Sequence, residues 1–165
     1  MGFINFSCRN NQFLPVLTFN NSIVPKVEWH RHLGLILTED LSWRNHINSV
    51  LASGNKKLGI WKKCSYDLTR IQKIKLYLNY IRPTVEFGNV IYNNCCVADS
   101  IKLDQLQRKA AVICTGVMTL TKTCHLMCQL NWESLKIRRD LASLNIIYRY
   151  IIFIIIYQYK YYIPI

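Results

Sequence analysis

The chain has 165 residues, enough for one compact domain, and 51% of them are hydrophobic, which excludes a lean, highly charged disordered tail. Lysine and arginine number 21 against nine acidic residues, and the formal charge of +12 favours phosphate or anionic lipid and excludes cationic partners. The charge is uneven, because eight basic residues and a single acid lie between Lys56 and Arg82.

The first forty residues are predicted to be extended. Apolar side chains alternate from Phe13 to Phe19, and Asn20-Asn21 is a turn signal before Ile23, so the pattern predicts a β-hairpin. A short apolar run rich in strand formers follows from Leu33 to Leu37. Its Gly34 indicates a bulge or the close approach of another backbone.

The first predicted helix follows Asp40 and Ser42, whose side chains offer N-cap oxygens. Its apolar positions recur at spacings of three and four and are Trp43, Ile47, Val50, Leu51, Gly54, Leu58 and Trp61. A second helix opens with a capping box formed by Thr69 and Gln72. Its predicted buried stripe is Ile71, Ile74, Leu78 and Ile81.

Pro83 is expected to kink or end the second helix, because its ring clashes with the preceding turn. A third helix is predicted to begin near Asp99 and to end at Gly116. A shorter helical piece runs from about Thr121 to Gln129. The last helix begins near Trp132, with Leu135, Leu141, Leu144 and Tyr148 periodic, and its pattern dissolves into an isoleucine run.

The predicted fold class is therefore α+β, mostly α. It has an N-terminal β-hairpin or three short strands, followed by an irregular bundle of about five helices. The predicted divisions are a β element over residues 1–40, a helical domain over 41–149 and a divergent apolar tail over 150–165.

A series of short motifs runs along the chain from about Val24 to Arg149. In order they are His32-Leu33-Gly34-Leu35, Leu41-Ser42-Trp43, His46-Ile47, Lys57-Leu58-Gly59, Leu76-Tyr77 with Tyr80-Ile81-Arg82-Pro83, Glu86-Phe87-Gly88, Leu103 with Gln107-Arg108-Lys109-Ala110-Ala111, and Leu130-Asn131-Trp132-Glu133-Ser134-Leu135 with Arg138-Arg139. Each motif alone is weak, but their order and spacing together resemble the region downstream of the catalytic palm in reverse transcriptases of LINE-type retrotransposons, especially the jockey-like group.

The resemblance implies that residues 1–40 are the end of a palm, where His32, Leu33 and Gly34 would hold the primer strand. It implies that residues 41–149 are a thumb that clasps template and primer. The implied partners are RNA or an RNA/DNA hybrid, together with the missing fingers and palm in another chain.

The resemblance also implies what the chain lacks. Polymerisation by the family needs paired aspartates that hold two divalent metal ions. No two aspartates are adjacent in this sequence, and the fingers and most of the palm would lie upstream of Met1. We therefore expect no catalysis and no cofactor in this fragment alone.

The expected phosphate contacts come from the basic stretch, since flexible lysines and arginines on a helical face release counterions when they neutralise phosphates. The seven candidates are Lys56, Lys57, Lys62, Lys63, Arg70, Lys73 and Lys75. The alternative is a solvated helix face that binds nothing.

A metal ion is a less favoured ligand than nucleic acid. Cys95-Cys96 and Cys124-His125-x-x-Cys128 lack the paired knuckles of structural zinc sites, so no metal site is predicted. The seven cysteines, an odd number, and the absence of a signal peptide indicate reduced thiols inside a cell, in the nucleus or cytoplasm.

The apolar tail leaves a membrane role open but not favoured, since only Tyr150 to Tyr157 is uninterrupted by charge and a spanning helix needs about twenty residues. We expect the tail to pack against the helical core or to aggregate. The alternative to a nucleic-acid-binding thumb is a non-functional or protein-interaction remnant of a decayed retrotransposon, membrane-associated through this tail.

Overall fold

The computed structural model describes residues 3, 4, 6, 16–117 and 120–162, with side chains as far as residue 157. Two antiparallel hairpins open the described part of the chain. Strands β1 (Thr18–Phe19) and β2 (Ser22–Ile23) form the first hairpin, and β3 (Trp29–His32) and β4 (Leu35–Thr38) form the second. The predicted alternating segment before residue 16 lies outside the described residues.

Both hairpin turns use residues with positive φ. Asn20 and Asn21 have φ of 48° and 57°, which confirms the turn expected there, since asparagine tolerates this conformation well. Leu33 and Gly34 have φ of 47° and 85°. The interpretation of Gly34 as a strand bulge was therefore wrong: the strand begins at Leu35, and Gly34 completes a two-residue turn.

The second hairpin docks on the segment after α3 through two reciprocal glycine contacts. A Cβ on Gly34 would lie 2.9 Å from Cε1 of Phe87, and a Cβ on Gly88 would lie 2.9 Å from Cδ2 of Leu35. Leu35 is buried in the core. A side chain, and not a neighbouring backbone, is therefore what approaches Gly34.

Helix α1 (Arg44–Cys64) presents the predicted apolar face, with Ile47, Val50, Leu58 and Trp61 buried. Its start differs from the expectation, because the N-cap is Trp43 and no side chain caps it. The Asp40 carboxylate instead accepts a hydrogen bond from the backbone N–H of Ser42 at 3.0 Å, which shapes the turn before the helix.

Helix α2 (Arg70–Leu76), a π-helical segment (Tyr77–Ile81) and α3 (Arg82–Glu86) form one continuous rod. The capping box of Thr69 and Gln72 is confirmed. The rod does not end at Pro83. The π-helical segment ends at Ile81, and Pro83 lies in the first turn of α3, where the N–H groups have no partner within that helix and proline is tolerated.

The buried stripe of this rod differs in part from the prediction. Ile81 is fully buried as expected, but Ile71 is 67% exposed. Tyr77 takes the central buried position, because its ring stacks on Trp132.

Three further helices complete the bundle: α4 (Val97–Thr115), α5 (Thr123–Leu130) and α6 (Leu135–Tyr162). Gly116 ends α4 with φ of 68°, as predicted, and Asn131 ends α5 in the same left-handed conformation. Helix α4 packs against α1, α2, α5 and α6 and is the centre of the core. The fold is α+β and mostly α, with five helical rods in the described chain when the rod of α2 and α3 counts as one.

Among the residues of α6 whose side chains the structure describes, those near its beginning hold the helix to the bundle. Leu135 and Arg139 are buried, and Arg139 donates a hydrogen bond to Ser100 Oγ at 2.6 Å. The helix then continues through the predicted isoleucine tail to Tyr162. The side chains from Leu144 to Tyr157 are exposed, so the expected packing of this segment on the core is wrong.

Candidate nucleic-acid interface

A groove of about 300 Å³ runs between α1 and α4. Its floor is apolar and consists of Leu58, Val112 and Ile113. A Cβ on Gly59 would meet nothing within 4 Å, so this glycine leaves the α1 side of the groove open. The groove is therefore a concave surface that a ligand can enter.

Three basic residues stand along this groove: Lys62 from α1, and Arg108 and Lys109 from α4. Arg108 also donates a hydrogen bond to the carbonyl oxygen of Thr121 at 3.1 Å, which fixes its guanidinium beside the groove. Lys109 Nζ donates to Asn55 Oδ1 at 3.3 Å. Cations from two helices thus converge on one opening, which suits a phosphate backbone.

The outer side of α1 carries two of the predicted lysines. Lys56 and Lys63 are exposed and lie seven residues apart, so they share one face of the helix. The 21 residues of α1 include no acid. Lys56 and Lys63 form a ridge on α1, and the groove at Lys62 lies on one side of this ridge.

Lys57 has a different environment from the other lysines of α1. Its ammonium donates to Thr84 Oγ1 at 2.5 Å and to the Tyr80 carbonyl oxygen at 3.2 Å, and it lies 4.6 Å from the Tyr80 ring centroid. These contacts join α1 to the rod of α2 and α3. The Lys57 side chain therefore stabilises the packing of α1 against this rod.

The three predicted basic residues of α2 also differ from one another in their environments. Arg70 donates to the Gln129 carbonyl oxygen at 3.1 Å and so links α2 to α5. Lys73 is half-buried on the side of Cys114, whose thiol pKa is raised to about 12 by burial although the charge of Lys73 acts to lower it. Lys75 is exposed.

The predicted primer-grip residues lie at the tip of the second hairpin. His32 is exposed, Leu33 is 80% exposed, and Gly34 lines a second groove of about 480 Å³. The other polar residues of this groove are Arg31, His46, Ser49, Ser53 and Thr84. Ser49 and Ser53 come from the side of the α1 ridge opposite to Lys62, so the ridge of Lys56 and Lys63 separates two grooves.

Sequence reasoning missed Gly59, Arg108 and Lys109 as site residues. All three belong to the motifs Lys57-Leu58-Gly59 and Gln107-Arg108-Lys109, so their positions were marked. No pattern in the chain predicts that these two motifs pack against each other. The charge density of the basic stretch instead indicated candidates on α1 and α2.

The described residues do not fit a two-metal centre. Asp99 is held by Lys102 at 2.7 Å, and this hydrogen bond is the main reason that its pKa is lowered. Burial raises the pKa of Asp104. No group of three or more histidine, cysteine or acidic side chains is placed to hold a metal ion among residues 16–117 and 120–157.

Comparison of the chain with protein-family models, with characterised proteins and with solved structures found no match. The motifs themselves, however, pack in pairs. Gly34 and Leu35 contact Phe87 and Gly88, the Tyr77 ring stacks on Trp132, and Gln107 Nε2 donates to the Glu133 carbonyl oxygen at 2.9 Å. The motif residues in these contacts therefore stabilise the fold.

Proposed function

We propose that the chain binds the phosphate backbone of nucleic acid, as the thumb-like part of an RNA-directed DNA polymerase of the jockey-like non-LTR class. The proposed partner is RNA or an RNA/DNA hybrid, and the proposed role is positioning without chemistry. The observation that carries the proposal is the convergence of Lys62, Arg108 and Lys109 on one groove beside the exposed lysines Lys56 and Lys63.

Charge supports this role. Phosphate contacts dominate nucleic-acid affinity because each neutralised phosphate releases condensed counterions. Helix α1 brings five basic residues and no acid, and α4 adds two cations at the groove. The apolar floor of Leu58, Val112 and Ile113 would contact sugars, which have an apolar face and no charge.

The pairing of motifs supports the family assignment. Segments that resemble the family at distant places in the chain come into contact in three dimensions, as Gly34 does with Phe87 and Tyr77 with Trp132. Residues whose side chains contact each other are expected to occur together in proteins that share a fold. The assignment to the reverse-transcriptase family rests on this agreement and on the motif order.

The test is binding of the purified chain to a labelled RNA/DNA hybrid across a salt series, with heparin as competitor. Lys62→Gln combined with Lys109→Gln removes two cations from the groove. The matched control is Lys136→Gln combined with Arg149→Gln, which removes the same charge from exposed positions on α6.

We expect the groove pair to weaken binding and to reduce the slope of log K against log salt by about one unit for each phosphate that the variant no longer neutralises. The control pair should leave both nearly unchanged. Equal effects in the two pairs would mean that the chain binds any polyanion through its net charge, and unchanged binding by the groove pair would contradict the proposed site.

A second candidate is a protein-interaction remnant, and exposed apolar surface favours it. Leu141, Leu144 and Tyr148, three of the four periodic apolar positions of α6, are 45%, 60% and 64% exposed. Trp29 and Leu33 on the second hairpin are exposed as well. A chain that binds no nucleic acid at low salt, but aggregates, would support this candidate over the thumb.

A further inference from the structure

Helix α6 leaves the bundle after Ser143. Before that point it is fixed firmly: Arg138 forms an ion pair with Glu86, Arg139 is buried, and Ser143 Oγ accepts a hydrogen bond from Asn93 Nδ2 at 3.2 Å. Beyond it, the side chains from Leu144 to Tyr157 are exposed. The segment from Leu144 to Tyr162 is named here the distal part of α6.

The middle of the distal part is apolar on all its sides. Residues Ile151 to Ile156 are six consecutive apolar side chains, and at about 100° per residue they cover the whole circumference of the helix. Their exposures run from 37% for Ile152 to 62% for Phe153. Removing these side chains from water is favourable, so a surrounding apolar phase would stabilise this segment.

The all-round pattern decides between possible occupants. A second copy of the chain, or a protein groove, covers one stripe of a helix and leaves the opposite stripe in water. A lipid phase covers every side. The segment Leu135–Tyr157 has a mean hydropathy of 1.5 over its most apolar window, and none of that window is buried in the fold.

Length and flanking residues also fit a bilayer. The 19 residues of the distal part span about 28 Å at ~1.5 Å per residue, close to the ~30 Å of a hydrocarbon core. Tyrosines lie towards both ends, at Tyr148 and Tyr150 and again from Tyr157 to Tyr162, and tyrosine favours the interface between lipid and water.

The charges favour an anionic surface. The sequence from Leu141 to Tyr162 contains no acid, and its only ionised side chains are Arg149 and Lys160. Arg149 lies about 7.5 Å along the helix from Leu144, within reach of the headgroups for a long side chain that keeps its charged end in water. Lys160 lies in the last turn, at the opposite end.

We propose that the distal part of α6 inserts into the hydrocarbon core of an anionic lipid bilayer and anchors the bundle at the membrane surface. The anchor is separate from the groove between α1 and α4, and it stands whether or not that groove binds nucleic acid.

The experiment is flotation of the full-length chain with phosphatidylcholine vesicles, with and without phosphatidylserine, followed by a wash in about 1 M salt, where the Debye length is only about 3 Å. Ile152→Glu combined with Ile155→Glu disrupts the inserted segment. Lys56→Gln combined with Lys63→Gln is the control, since it changes the net charge by the same amount on an exposed face of α1.

We expect the wild-type chain and the lysine pair to stay with the vesicles through the wash and the glutamate pair to be released. In a further variant, Phe153→Trp, lipid brominated in its acyl chains should quench the added fluorescence. Release of the wild-type chain by salt, equal flotation of the two pairs, or an unquenched tryptophan at position 153 would overturn the proposal. A lipid-independent dimer that the glutamate pair dissociates would assign the segment to a second copy instead.

Discussion

Gly54 of α1 lies directly against Leu106 of α4, and a Cβ on Gly54 would come within 2.5 Å of Leu106 Cδ1. Leu106 is 2% exposed. The glycine therefore sets how closely the two central helices approach. Five residues on, Gly59 faces the open groove, where a Cβ would meet nothing within 4 Å.

These two glycines should respond oppositely to the same substitution. Gly59→Ala should raise the free energy of unfolding by about 0.5–1 kcal/mol, because alanine favours a helix. Gly54→Ala has the same helical gain but overpacks the contact with Leu106, so it should be less stable than Gly59→Ala by about 1–3 kcal/mol. Urea unfolding of both variants measures the difference. Equal stability would mean that α1 and α4 do not pack in this way.

The stacked pair of Tyr77 and Trp132 should contribute strongly to stability. Their ring centroids are 4.1 Å apart at an interplanar angle of 22°, and Tyr77 is fully buried. Because Trp132 is only half-buried, Trp132→Ala should cost about 2–3 kcal/mol, below the usual range for a fully buried aromatic. Trp29→Ala, on a residue that is 56% exposed, is the control. A comparable destabilisation in both would contradict the stacking role.

The helices could be predicted because their signals are local. Apolar spacing placed α1 and α4, the Thr69 capping box placed α2, and Gly116 marked the end of α4. Periodicity shows which face of a helix is apolar but not which neighbour covers it. That is why Ile71 was expected to be buried and is exposed.

The candidate site was harder to predict because it depends on the packing of two helices against each other. The groove needs α1 and α4 side by side, and only then does Lys62 come together with Arg108 and Lys109. Charge density alone could not separate Lys57, which is bonded to Thr84, from Lys56, which faces solvent. The π-helical turn before Pro83 also has no local signature that sequence rules describe.

The stability of the fold should fall as the pH drops below 6.5, the ordinary pKa of histidine. His46 is 3% exposed, with its ring 5.2 Å from that of Tyr92, and burial, followed by the charge of Arg31, lowers its pKa from the ordinary 6.5. The unfolded chain therefore binds the proton first as the pH falls. This contribution to stability is complete above pH 6.5 and declines below it.

Urea unfolding of the wild-type chain and of His46→Phe between about pH 8 and about pH 5.5 measures this dependence. We expect the wild-type chain to lose more stability over this range than the variant. His30→Phe, at an exposed strand position, is the control and should follow the wild type. Parallel curves for all three proteins would show that His46 does not couple folding to protonation.

Lys56 and Lys57 are adjacent in the chain but should have separate roles. The Lys57 ammonium donates to Thr84 and Tyr80, so Lys57→Met should cost about 1 kcal/mol of stability, below the usual range for hydrogen bonds to a charged group because the site is only half-buried. Its effect on binding to an RNA/DNA hybrid should be small. Lys56 faces solvent, so Lys56→Met should leave stability unchanged and weaken binding, with a shallower salt dependence. Urea unfolding and a salt series on both variants give the comparison, in which the net charge changes by the same amount. Binding weakened equally in the two variants would show that total charge, and not the exposed ridge of α1, determines affinity.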